Sequence, residues 1–113
     1  MRKSLIALPI VAVALLVPLA TASPAMAATT VKLGDNFFAP SSKTVKRGAK
    51  VRFRWIGNRP HNVVKRRGPG GKFRSRTTRR RGVNYAKRFT KRGTYRLICT
   101  IHPETMRLKL RVR

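Results

Sequence analysis

The chain is short of most of what enzymes work with. Among its 113 residues are two carboxylates (Asp35, Glu104), two histidines (His61, His102) and a single cysteine, Cys99. Two acids leave no carboxylates for a calcium cage or a carboxylate-bridged metal site, each of which needs several Asp or Glu, and paired acid/base catalysis would take both of them. One cysteine excludes an internal disulfide. A lone cysteine in an exported chain calls for an intermolecular link, a reactive thiol or a metal ligand. A Cys–His nucleophile is disfavoured, because no oxyanion loop and no orienting third group are evident.

Positive charge and one apolar run are what the sequence has in quantity. Lys and Arg number 28, giving a formal net charge of +26. Such a field bears on partners and solubility and says little about fold. Met1-Arg2-Lys3 opens the chain, Leu5 to Ala20 is almost wholly apolar, and Ala25-Met26-Ala27 carries small residues where a signal peptidase reads. Residues 1–27 are therefore expected to be a signal peptide, and 28–113 one domain. Pro9 and Pro18 count against an uncleaved anchor. The mature protein is expected to be exported, to the periplasm, cell envelope or exterior, with no transmembrane segment after cleavage.

Beyond residue 28 the pattern is that of short strands. "VRFRWIG" alternates, with Val51, Phe53 and Trp55 on one face and Arg52 and Arg54 on the other. "TYRLIC" sets Tyr95, Leu97 and Cys99 on one face, and "MRLKLRV" does the same for Met106, Leu108, Leu110 and Val112. "TTVKLG", "KTV" and "VNYAKRF" complete the strand candidates, and Phe38 is a candidate core plug. Residues 65–82 hold nine basic residues and four glycines with only Phe73 as an apolar anchor, which predicts a long, solvated, mostly irregular connection. Turn signals every eight to twelve residues predict an all-β, antiparallel sandwich of about seven to eight strands without helix.

The scarce side chains cluster. "ICTIHPETM" brings Cys99, His102 and Met106 within nine residues, in a loop between two strands, and His61 follows the end of another strand. A thiolate, two imidazoles and a thioether suit zinc poorly, since zinc gains little from Met. They suit copper, whose reduced ion favours sulfur and whose both oxidation states accept imidazole.

The stretches "FFAP", "VKRGAKVRFRW", "PHNV", "GKFRS", "KRFTKRGTYRLICTIHPETM" and "LKLRV" together resemble the plastocyanin/amicyanin branch of the cupredoxins, the type 1 copper proteins. The resemblance implies a Greek-key β-sandwich holding one copper ion, with His61, Cys99, His102 and Met106 as ligands. It implies a one-electron carrier rather than an enzyme. Asn62 would tie the two ligand loops together with Thr100, and His102 would be the edge through which electrons pass, with Pro103 on the docking rim. Three residues lie between His102 and Met106, and Leu108 stands where the branch commonly has glycine.

The charge leads to an acidic redox partner and to an anionic cell-envelope surface as candidate contacts. Nucleic acid is not expected, because an exported protein rarely meets it and no aromatic-interleaved platform is present. A monomer is expected. Two other readings stand beside the electron carrier: a copper carrier or storage protein without redox turnover, and a cationic polyanion-binding protein that uses the sandwich to display charge.

Overall fold

The computed structural model describes residues 28–113, so the expected signal peptide lies outside the described residues. Eight strands form: β1 (Thr29–Gly34), β2 (Phe37–Ala39), β3 (Ser42–Val45), β4 (Lys50–Trp55), β5 (Val64–Arg67), β6 (Gly82–Arg88), β7 (Gly93–Ile98) and β8 (Arg107–Val112). They make two four-stranded sheets, ordered β2-β1-β4-β6 and β3-β8-β7-β5. There is no helix among the described residues, and so none long and apolar enough to cross a membrane. The all-β sandwich expected from the alternation is what forms.

The alternation reads out directly as burial. In β4, Val51, Phe53 and Trp55 are buried while Arg52 and Arg54 are exposed; β7 and β8 repeat the pattern with Tyr95, Leu97, Leu108, Leu110 and Val112 inward. Side chains of a strand point alternately to its two faces, so each of these three strands has one dry face and one cation-bearing face. Phe38 fills the core as expected, and its neighbour Phe37 is exposed.

One expectation needs correction. The sheets are mixed, because β1 pairs with β4 and β3 with β8 in parallel. Alternation specifies which face is buried and carries no information about strand direction, so the pattern could not reveal this. The Arg-rich stretch is mostly irregular and exposed, as expected, and is pinned at a few points. β5 takes its first residues, and isolated bridges join Val64 to Arg74 and His61 to Thr78. Lys65 Nζ donates to the carbonyls of Pro69 (2.5 Å), Gly70 (2.8 Å) and Gly71 (3.1 Å), closing the glycine-rich turn around one ammonium. Buried Ser75 donates through its hydroxyl to Arg76 O and accepts from Val63 N–H. Phe73 packs against the core beside Tyr85 and Phe89, which gives the loop its anchor.

Candidate metal centre

The four sequence-predicted ligands lie in the segments that follow β4 and β7 and precede β8. Cys99 follows β7, Met106 precedes β8, and His102 sits on the tight loop between. That loop is closed by His102 N–H to Cys99 O (3.2 Å), Met106 N–H to His102 O (2.9 Å) and Cys99 N–H to Met106 O (3.1 Å). His61 arrives from the β4–β5 connection, fixed by reciprocal backbone bonds with Thr78 (3.0 and 3.1 Å). Trp55 Nε1 donates to the His61 carbonyl (3.2 Å), so the core tryptophan braces the segment from below.

Cys99, His61 and Met106 are fully buried, and His102 is half-buried at the surface. Cys99 Sγ lies 3.9 Å from His61 Nδ1. The His61 and His102 rings are 5.5 Å apart between centroids and tilted by 52°. Among the described residues no three His, Cys, Asp or Glu side chains form a closed cluster. The structure brings His61 to Cys99 and His61 to His102 pairwise, with Met106 buried just before β8 and its carbonyl accepting from the Cys99 amide.

Asp35, which the sequence reading passed over, is the hub of this end. Its carboxylate accepts from the Asn58 amide (3.0 and 3.1 Å) and the Arg59 amide (3.0 Å), and lies 2.9 Å from His61 Nε2. Foremost the His61 bond, then those from the amides, hold its carboxyl down from an ordinary 3.8 to about 2. Gly57 makes room for this: a Cβ there would fall 2.3 Å from Asp35 Oδ1. An ionised carboxylate only accepts, so Nε2 must carry the proton, and in the neutral ring Nδ1 then presents a lone pair toward Cys99. Chain distance hid this pairing, since 26 residues separate Asp35 from His61. The scarcity of acids was the one available signal.

Asn62 behaves as the resemblance implies. It is buried, its Nδ2 donates to Thr100 Oγ1 (2.7 Å) and Thr77 Oγ1 (2.8 Å), and its Oδ1 accepts from Thr100 N–H (2.8 Å). The two segments that carry His61 and Cys99 are thereby stitched side chain to backbone.

These donors fit copper. A buried thiol, an imidazole lone pair aimed at it and a buried thioether form a soft set, and 3.9 Å is a span that one ion with metal–ligand bonds of about 2.0–2.3 Å can bridge. Fold and donor set together define a small β-sandwich metalloprotein with a soft-donor site at one end. Residues 25–113 match the family described as copper binding proteins, plastocyanin/azurin family, and the chain belongs to that family. One copper ion is its cofactor. Among solved structures, an oxidized amicyanin variant aligns with TM-score 0.68 and 28% identity, covering 81% of this chain and 88% of that one. The reduced Cu(I) form of another amicyanin variant aligns with the same values. A copper-containing nitrite reductase from Thermus scotoductus SA-01 aligns with TM-score 0.65 and 26% identity over 77% of this chain, which spans only 22% of that enzyme. No curated protein matched the chain.

Proposed function

We propose that the protein is an exported one-electron carrier, whose copper is held by His61, Cys99, His102 and Met106, and not an enzyme. The observation that carries this reading is the fixed orientation of His61: Asp35 on Nε2 at 2.9 Å leaves Nδ1 facing Cys99 Sγ at 3.9 Å. Copper bound there would supply a centre that accepts and releases single electrons at a soft, water-excluded site. The chain's own residues do the rest. Asp35 keeps the His61 ring in one tautomer, Asn62 locks the two ligand-bearing segments, and the short Cys99–Met106 loop limits how far its three donors can rearrange. A site that moves little when its charge changes suits electron transfer.

His102 is the half-buried member of the set, so it is the exit to a partner. Around it lies an apolar rim. Among the described residues the exposed large apolar side chains are Phe37, Ile56, Val83 and Ile101, and strand register sets them at this same end: Phe37 opposite Gly34, Ile56 after Trp55, Val83 opposite Arg54, Ile101 beside His102. Cations surround that rim, since Thr78 is bridged to His61 and is followed by Arg79, Arg80 and Arg81. An acidic redox protein with an apolar contact patch is the complementary partner. Export with cleavage after Ala27 and a monomeric state complete the proposal.

Voltammetry of the copper-loaded protein adsorbed on an anionic electrode tests it. The expected result is a reversible one-electron wave that persists over many cycles. Copper loss on reduction would instead favour a carrier that delivers the ion.

A further inference from the structure

The outer face of the second sheet holds a feature the electron carrier does not use. Between β5, β7 and β8 lies an open depression of about 530 Å³, whose lining includes Arg66, Arg67, Arg96, Arg107 and Lys109 beside Ser41 and three apolar residues of β7 and β8. Strand register sets three of these cations in a row: Arg67 opposite Arg96, and Arg96 opposite Lys109. Directly opposed residues in neighbouring strands have Cβ atoms about 4.5–5.5 Å apart, and like charges in such positions are destabilising. No acid relieves them. The chain's two acidic side chains are elsewhere, Asp35 against His61 and Glu104 in the His102 loop, and among the described residues neither pairs with a lysine or an arginine. Arg107 spends its Nε on Pro103 O (2.9 Å), and its terminal guanidinium nitrogens make no protein hydrogen bond.

We propose that this basin is a binding site for an oligophosphate, that is, a ligand bearing two or more linked phosphate groups. Guanidinium forks match phosphate oxygens two by two, and four of the five cations are arginines. Strands are spaced by about 4.8 Å, so the row across β5, β7 and β8 spans about 10 Å. A single phosphate would have to draw the side chains at both ends inward, whereas a chain of phosphates can meet each cation in place. The site lies on the outer sheet face and needs no copper, so it stands or falls separately from the redox reading.

Binding of tripolyphosphate to the copper-loaded and copper-free protein, followed by calorimetry, is the test, with inorganic phosphate and phosphatidylglycerol vesicles as comparison probes. R96Q/K109Q should weaken tripolyphosphate binding about tenfold or more, from two lost charge-assisted contacts. R52Q/R54Q removes the same charge from exposed positions of the other sheet and should change it by less than about threefold, the residual effect of a screened field. The basin variant should retain its copper spectrum and should melt no lower than wild type, because an opposed like-charge pair has been relieved. Inorganic phosphate should bind more weakly than tripolyphosphate in both copper states. Equal losses in the two double variants would overturn the proposal in favour of diffuse charge. Binding to vesicles but not to tripolyphosphate would overturn it in favour of a membrane surface.

Discussion

At the scale of single residues, the site depends on which atom of His61 is free. Asp35 fixes that, and Asp35→Ala should lower copper affinity about 10–100-fold, the usual cost of losing a partner behind a metal-binding histidine. Asp35→Asn should fall between the two, because its amide oxygen can still accept from Nε2. Copper titration against a competing chelator reads both. The same carboxylate gives a pH signature in the copper-free protein. Its native pKa of about 2 lies below the ordinary 3.8, so its stabilisation is complete above 3.8 and is lost as pH falls toward 2. Melting curves from roughly pH 5 down to 2 should show wild type losing its margin over Asp35→Asn across that window. Met106, proposed as the fourth ligand, should act differently, because an axial thioether tunes the ion more than it holds it. Met106→Leu should retain copper and colour and raise the reduction potential. Loss of copper in that variant would make Met106 a principal ligand.

At the scale of elements, the centre is a junction between the β4–β5 connection and the β7–β8 loop, and Asn62 is its fastener. Asn62→Ala leaves the Thr100 amide without its partner and should cost about 1–3 kcal/mol, read as a lower melting temperature in the copper-free protein. Unchanged stability would mean that the two segments are held by packing alone. Here the reach of the sequence is uneven for a physical reason. Period-two alternation marked β4, β7 and β8 and their buried faces, because burial is written locally in side-chain type. The clustering of Cys99, His102 and Met106 was equally visible. Strand direction, the bridge from His61 to Thr78 and the contact between Asp35 and His61 all depend on which distant segments meet, and no local pattern encodes that. The Arg-rich stretch reads as loop and is mostly loop; what its composition does not show is where it is pinned, by one lysine reaching three carbonyls and one phenylalanine reaching the core.

At the scale of the whole molecule, the charge is the dominant property. A formal +26 on 113 residues should speed encounter with acidic proteins and repel basic ones. Exposed charges are felt over about 8 Å at physiological salt, so the rate of electron transfer to an acidic partner should fall steeply with ionic strength. Replacing Arg79, Arg80 and Arg81 by Gln should slow that reaction at low salt and flatten its salt dependence, with the copper spectrum unchanged. A wild-type rate at low salt would show that these three arginines do not steer docking.

If Cys99 sulfur binds copper beside His61 in a type 1 site, as proposed, the bond is read in the visible spectrum on adding one equivalent of Cu(II) to the copper-free protein. Thiolate-to-Cu(II) charge transfer should turn wild type intensely blue, or green if the Met106 sulfur lies close. Cys99→Ser should bind copper more weakly and remain pale. A wild-type protein that takes up one equivalent of Cu(II) yet stays as pale as the serine variant would contradict the account.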